Sequence, residues 1–215
     1  MFLLTLEGLL ESLYMCCIAT VLAYCIGIPL GVLLVLSARE GICPRPRLNL
    51  LLGGIVNCLR SIPFLILMVA LLPFTRFVVG SSIGWQAATV ALVVAAAPFV
   101  ARVVEASLKE VDPGVIEAAQ AMGAGTMQIV CKVLLPEARP GLLVGAALSV
   151  TAILGYSAMA GIVGGGGLGA IAINYGYYRS QTDIMLIMIL ILLLLVQIFQ
   201  GLGNLAARKS DKRMR

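Results

Sequence analysis

Histidine is absent from this chain of 215 residues, tryptophan occurs once, and charged residues make up only 12% of the sequence. Because histidine is the side chain that most often serves as general base and metal ligand near neutral pH, its absence argues against hydrolytic and metal-dependent chemistry. The other residues, the six cysteines included, offer neither a nucleophile paired with a base nor a cluster with metal-ligand spacing. The sequence therefore predicts a protein that is not an enzyme, with no catalytic residue and no metal site.

Phosphate-binding motifs are also missing. No GK[ST] tripeptide occurs, so the chain has no Walker A motif. Residues 164–169, GGGGLG, do match GxGxxG, but they follow a predicted transmembrane helix instead of a β-strand, and no βαβ unit surrounds them. We therefore interpret the glycine run at residues 161–169 as a turn, at which the chain can re-enter the membrane or approach a partner closely.

Long apolar runs dominate what is present. Hydrophobic residues make up 61% of the chain and its mean hydropathy is +1.07, which excludes an ordinary soluble domain and indicates one all-α membrane domain, residues 1–215. The first residues carry Glu7 and Glu11 but no Lys or Arg, so we do not expect a cleavable signal peptide. A helix needs about 20 apolar residues to cross the hydrocarbon. Five spans are predicted, at residues 12–38, 48–73, 85–101, 141–160 and 184–207.

The basic residues predict an orientation for these spans. The six successive segments outside the spans contain 0, 3, 1, 4, 1 and 5 Lys or Arg residues. Because such residues concentrate on the cytoplasmic side, the N-terminus is expected outside and the C-terminus inside the cytoplasmic membrane. The long segment before residue 141 is then cytoplasmic. The net charge of +5 is explained as a topology signal, and nucleic-acid binding is not expected.

Residues 112–140, DPGVIEAAQAMGAGTMQIVCKVLLPEARP, predict two short helices separated by a break. Asp112 is a suitable N-cap, and Gly123 can adopt the left-handed conformation that ends the first helix. Thr126 can cap the second helix, and Pro136 is expected to end it. The predicted apolar faces consist of Val115, Ala118, Ala119 and Met122 in the first helix and of Val130, Val133 and Leu134 in the second. The pattern alone is typical of an amphipathic helix pair on a membrane surface.

The spacing within this segment is more specific than its amphipathicity. Glu117-Ala118-Ala119 is followed by Met122-Gly123 and, after nine further residues, by Val133-x-Leu135-Pro136. This pattern resembles the EAA loop of ABC importer permeases, and residues 112–140 are called the EAA loop below. The resemblance implies that these residues dock into a cleft on a separate ATPase subunit, which carries the ATP and Mg²⁺.

Further phrases resemble the permease subunits of methionine ABC importers. They include RSIPF at 60–64, APFVARVVE at 97–105 and GYSAMAGIVGGGGLG at 155–169. The resemblance implies the type I importer permease fold with five transmembrane helices, a homodimer, two ATPase subunits and an extracytoplasmic binding protein that delivers methionine for alternating-access transport. Two alternatives stay open: a permease for another amino acid or small polar solute, and an ATP-independent pore or membrane scaffold.

Four residues are candidates for the translocation pathway or its gate. Arg60 is the one charge inside an apolar segment, and it either faces the pore or snorkels to the cytoplasmic interface. Pro63 can kink the second span so that backbone carbonyls face the pore. Tyr156 and Met159, which precede the glycine run, either line the outer part of the pathway or pack between helices.

Overall fold

The computed structural model describes residues 2–210, and within that range the chain forms helices and turns without a strand. The helices in chain order are α1 (Phe2–Leu36), α2 (Pro46–Ser61), α3 (Phe64–Ala70), α4 (Leu72–Val79), α5 (Trp85–Lys109), α6 (Pro113–Ala121), α7 (Thr126–Ile129), α8 (Leu135–Glu137), α9 (Arg139–Ala160), α10 (Gly167–Ile171) and α11 (Thr182–Ser210). The π-helical segments Val130–Leu134 and Ala172–Tyr177 and the 3-10 turn Gly161–Val163 join some of them. Lys212, Arg213 and Arg215, which contribute to the predicted orientation, lie outside the described residues.

The core of the bundle forms where α1 packs against α5, the most buried of the long helices. A Cβ atom added at Gly27 would lie 2.5 Å from Val100 Cγ1, and one added at Gly31 would lie 2.7 Å from the carbonyl oxygen of Ala101. Small residues one helical turn apart let two helices pack closely in lipid. The two glycines therefore let α1 pack closely against α5.

The segment at residues 48–73, expected as one continuous span, is divided in the structure. α2 and α3 meet at an angle of 100°, so they cannot both run parallel to the membrane normal. The break falls at Ile62, whose backbone is extended (φ −80°, ψ 123°). A residue before proline is disfavoured in the helical conformation, and Pro63 follows directly. Pro63 was expected to kink one continuous span. The helix instead ends before the proline, and a new helix starts after it in a different direction.

Within residues 2–210, four continuous helices are long and apolar enough to cross a membrane: α1, α5, α9 and α11. The bent pair α2–α3 makes five if it is counted as one span. Some helices extend beyond the apolar runs, since α1 begins at Phe2 and α5 continues to Lys109. An apolar run marks the part of a helix that fits the hydrocarbon, whereas the helix continues until a breaker ends it.

Within the glycine run, residues 164–166 form the turn interpreted from the sequence, at the end of α9 opposite the EAA loop, whereas Gly161 begins a 3-10 turn and Gly167 begins α10. Gly164 has a φ of +80°, and its carbonyl oxygen accepts a 2.8 Å hydrogen bond from the Gly84 N–H just before α5. The N–H of Leu168 in α10 donates a 2.9 Å hydrogen bond to the hydroxyl of Ser12 in α1. The turn is thus attached to two different helices of the bundle.

Candidate functional site

The first helix of the EAA loop begins and ends as the sequence predicts. Asp112 Oδ1 accepts a 2.7 Å hydrogen bond from the backbone N–H of Gly114, which makes Asp112 the N-cap of α6. Gly123 has a φ of +80°, a left-handed conformation that glycine adopts at little cost. Its N–H donates a 2.9 Å hydrogen bond to the carbonyl oxygen of Gln120. The chain therefore leaves α6 in a direction fixed by a single glycine.

The second helix of the loop differs from the prediction at both ends. Gly125, not Thr126, precedes the helix as its cap, and the side-chain oxygen of Gln128 accepts a 3.0 Å hydrogen bond from the Gly125 N–H. The glutamine side chain reaches back to satisfy the donor, so the cap lies one residue earlier than the threonine suggested.

Pro136 does not end that helix. It lies in α8, and Ala138 is the single residue outside regular helix between α8 and α9. In an α-helix, a proline ring clashes with the carbonyl group four residues before it. For Pro136 this carbonyl belongs to Lys132, within the π-helical segment Val130–Leu134. The wider turn of the π-helical segment relieves the clash. The chain from Thr126 to Ala160 is therefore nearly continuous helix.

The EAA loop is anchored to the C-terminal end of α5 by apolar side chains. Ala119 on α6 and Ile129, Val130 and Leu134 in the second helix are buried in the cluster that also contains Leu108 of α5. These anchors include two of the three residues predicted for the second apolar face, and the third, Val133, is half-buried. Because the anchors come from both helices of the loop, the loop is held to the bundle as one packed unit.

The predicted apolar face of α6 is only partly buried. Ala119 is buried, whereas Ala118 is exposed, Val115 is 43% exposed and Met122 is 81% exposed. The helix packs inward through Ala119 and Ile116, which are three residues apart, and this leaves the other apolar residues facing outward. Met127, at the start of the second helix, is also 71% exposed. The loop therefore presents an exposed apolar surface, here called the outer face: Val115, Ala118, Met122 and Met127.

The other predicted docking residues differ in their exposure. Glu117 is exposed and borders a groove of about 820 Å³ between α6 and the segment after α1, which also contains Arg39, Glu40 and Lys109. Leu135 is half-buried and Pro136 is exposed. The groove thus has both positive and negative side chains.

A polar network joins α5 to α2 above the EAA loop. Arg102 Nη1 lies 2.6 Å from Glu105 Oε2, and Lys109 Nζ lies 2.7 Å from Glu105 Oε1. Arg102 Nη2 donates hydrogen bonds to the carbonyl oxygen of Gly53 (3.1 Å) and to Asn57 Oδ1 (2.9 Å). The network satisfies the buried Glu105 carboxylate and ties α2 to α5, and the sequence analysis did not identify it.

Two of the four pathway candidates lie together in a second pocket. This pocket has a volume of about 230 Å³, and its lining includes Arg60, Phe64, Phe99 and Tyr156. The rings of Phe64 and Tyr156 stack with centroids 4.9 Å apart and planes 12° apart, and Arg60 Cζ lies 5.9 Å from the Phe99 ring centroid.

The structure separates the other two candidates from the pocket lining. Pro63 caps the start of α3 at the break, and Met159 is 44% exposed farther along α9. Phe64 and Phe99 were not singled out from the sequence. Both follow a proline, at Pro63-Phe64 and Pro98-Phe99, and these paired dipeptides were a signal that could have identified them.

Residues 27–212 match the family described as binding-protein-dependent transport system inner membrane component. This chain belongs to that family. The permease is 48% identical over 210 residues to the probable D-methionine transport system permease protein MetI of Vibrio cholerae, a match that covers 98% of this chain and 93% of the relative. It is 44% identical to the methionine import system permease protein MetP of Bacillus subtilis, over 84% and 82% of the two chains.

Solved structures show the same fold. The permease superimposes with a TM-score of 0.97 and 46% identity on a chain described as the MetNI methionine ABC transporter in inward facing conformations, over 99% of this chain and 98% of that one. An amino acid ABC transporter solved with histidines matches with a TM-score of 0.78 at 21% identity, which shows the fold alone. The predicted all-helical importer permease fold and the family resemblance are confirmed.

Proposed function

We propose that this chain is the permease subunit of an ATP-driven importer that moves methionine across the cytoplasmic membrane by alternating access. The similarity to the MetNI methionine ABC transporter carries the proposal, since it extends over 99% of this chain at 46% identity. Relatives named for methionine or D-methionine transport support the same substrate. Two alternatives are another amino acid or small polar solute as cargo and an ATP-independent pore or scaffold.

The assembly follows from the size of the membrane domain. Four or five spans are few for an enclosed solute path, and a two-fold dimer would double them and place the path on its axis. Two ATPase subunits, holding ATP and Mg²⁺, would then bind the two EAA loops, and an extracytoplasmic binding protein would deliver the solute. This assembly requires the EAA loop inside and the N-terminus outside, in agreement with the alternating Lys and Arg counts.

The outer face of the EAA loop is the proposed ATPase-docking surface. Exposed apolar side chains such as Met122 and Met127 suit insertion into a cleft, because their burial on docking removes apolar area from water. Glu117 is exposed on α6 and borders the groove beside that helix, where its charge can select the partner's orientation. Ala119 is buried and Val133 and Leu135 are half-buried, so they hold the loop to the bundle, whereas Gly123 sets the direction in which the chain leaves α6 and Pro136 is exposed within the second helix.

Coupling requires that ATP favour one conformation of the membrane helices over the other. The EAA loop can transmit such a preference because it is packed onto α5 and continuous with α9. Among the pathway candidates, Tyr156 and Met159 lie on α9, Arg60 lies beside Phe99 of α5, and Pro63 lies at the break before α3.

ATP-driven uptake tests the proposal. Proteoliposomes that contain this chain with its ATPase and binding protein are expected to accumulate radiolabelled methionine only when ATP is present. Competition by unlabelled amino acids separates methionine from other cargo. Solute flux without nucleotide would favour the pore, and failure of an ATPase to copurify with the chain would remove the basis for coupling.

A further inference from the structure

The pocket between α2, α3, α5 and α9 combines a single cation with an aromatic wall. The Arg60 guanidinium lies near the Phe99 ring, and the stacked rings of Phe64 and Tyr156 belong to the same lining. The remaining lining is mostly aliphatic. A pocket of this kind can hold a small solute that has an anionic group at one end and an apolar group at the other.

Arg60 has no carboxylate partner within the part of the chain that the structure describes. Glu105, a buried carboxylate on α5, pairs with Arg102 and Lys109 instead. A guanidinium in an apolar segment is costly unless it faces a water-filled cavity or an anion. Its planar fork of N–H donors matches the two oxygens of a carboxylate. The arrangement leaves an anion-binding group free inside the pocket.

The lining of the pocket bears on the two interpretations of Arg60 left open by the sequence. Phe99 lies near the end of the apolar run predicted at residues 85–101, so what surrounds Arg60, and not its depth, distinguishes the two. Arg60 Cζ lies 5.9 Å from the Phe99 ring centroid and Arg60 lines the cavity, as the pore-facing interpretation requires.

We propose that this pocket binds the transported amino acid in transit, with the Arg60 guanidinium on its α-carboxylate and the aromatic rings against its flexible, apolar side chain. The inference rests on the proposed function and adds which parts of the cargo are recognised. Thioether sulfur packs favourably against aromatic rings, which suits a methionine side chain beside Phe64, Phe99 and Tyr156.

The polar network on α2 fixes the backbone near Arg60. Asn57 lies one turn before Arg60 on α2 and accepts a hydrogen bond from Arg102 of α5. This bond, with the one from Arg102 to the Gly53 carbonyl, holds the end of α2 against α5. The backbone that carries Arg60 is therefore held against α5 before any solute arrives, which lowers the ordering cost of binding.

Direct binding to the assembled permease–ATPase complex, without binding protein, tests the proposal. Radiolabelled methionine is equilibrated with the complex in nucleotide-free and ATP-trapped states, and competition is measured with methioninol, which lacks the carboxylate, and with norleucine, which replaces sulfur by a methylene. Methioninol is expected to compete at least about 10-fold more weakly than methionine because it cannot form the charged hydrogen bonds to Arg60. Norleucine is expected to compete within a few-fold.

The variant Arg60→Gln separates the carboxylate contact from general packing. It is expected to weaken methionine binding about 10- to 100-fold and to abolish the preference for methionine over methioninol. Arg76→Gln, which removes an exposed cation on α4 outside the pocket, is the matched control and should bind like the wild type. Copurification of the ATPase and basal ATP hydrolysis show that each variant has folded and assembled.

Three results would overturn the proposal that this pocket binds the transported amino acid. They are wild-type binding that does not distinguish methioninol from methionine, unchanged binding by Arg60→Gln, and no methionine binding in either nucleotide state. Each leaves the proposed function intact if wild-type proteoliposomes still show ATP-driven methionine uptake. Loss of that uptake in the wild type would instead contradict the proposed function itself.

Discussion

Glu11 in α1 accepts a 2.7 Å hydrogen bond from the backbone N–H of Gly167, which lies 156 positions later in the chain at the start of α10. The first N–H groups of a helix have no partner within the helix, so the carboxylate acts as a cap from a distant element. Together with the Ser12 hydroxyl it holds the glycine turn against α1. The N-terminal turns of α1 thus have a structural role at the end of the bundle opposite the EAA loop.

Removing this cap is expected to destabilise the protein. We expect Glu11→Ala to lower the free energy of unfolding by about 1–3 kcal/mol, because the Gly167 N–H loses a charged partner. Glu11→Gln keeps an acceptor oxygen and should lose less. Thermal unfolding of the detergent-solubilised protein measures the difference. Glu7→Ala, which removes an exposed carboxylate on the same helix, is the control, and an equal loss there would refute a specific cap.

The left-handed glycine of the EAA loop provides a test of coupling. Proline fixes φ near −65° and lacks an N–H, so Gly123→Pro cannot keep the observed φ of +80° or the hydrogen bond to Gln120. We expect the variant to insert in the membrane but to lose ATP-driven uptake. Gly123→Ala should cost only about 1–2 kcal/mol of strain and keep partial uptake.

A glycine without close neighbours is the control for this pair. Gly201 on α11 has negative φ and no atom within 4 Å of an added Cβ, so Gly201→Ala should transport like the wild type. Normal uptake by Gly123→Pro would contradict the idea that the direction of the chain after α6 matters for coupling.

Substitutions on the outer face of the EAA loop should leave the fold stable but weaken the complex with the ATPase. Met122→Glu and Glu117→Lys alter exposed side chains, so the free energy of unfolding should change by no more than about 0.5 kcal/mol. Copurification of the ATPase should fall, because one variant places a charge in an apolar contact and the other reverses a charge beside it. Glu7→Lys makes the same reversal at the opposite end of the bundle. Undiminished copurification in both loop variants would count against this surface.

The guanidinium of Arg102 should stabilise the fold, because its N–H groups bind acceptors on both α2 and α5. Arg102→Leu removes the contacts to Glu105, Gly53 and Asn57, and we expect a loss of about 1–3 kcal/mol in the free energy of unfolding. Arg102→Lys should recover only part of this loss, because an ammonium cannot reach both helices with the same geometry. Thermal unfolding of Arg102→Leu is compared with that of Arg47→Leu, which changes an exposed arginine on α2. Equal stability of the two leucine variants would disprove the stabilising link between α2 and α5.

Local signals in the sequence predicted the parts of the structure that depend on neighbouring residues. The Asp112 cap and the left-handed Gly123 follow from the chemistry of single residues and were correct. The cap at Gly125 was missed because the side chain of Gln128, three residues later, supplies the acceptor. The continuation through Pro136 was missed because it requires a π-helical turn, which has no clear sequence pattern.

Contacts between distant elements account for most of what the sequence could not predict. The bond from Gly167 to Glu11 and the approach of Arg102 to Asn57 depend on how helices pack, and no spacing along the chain encodes them. The 100° turn at Pro63 was foreseen only as a kink, since the backbone preference before proline gives a break without its angle. Arg60 was identified by its isolated charge, but its aromatic neighbours were not.

The helical path that starts in the EAA loop at Thr126 reaches Ala160 with one irregular residue, Ala138, and two prolines, Pro136 and Pro140, flank that residue. Prolines and π-helical segments are the usual places where a helix bends. Under the proposed coupling, a displacement of the EAA loop must therefore pass through the joint at Ala138 before it reaches α9 and the glycine turn beyond it.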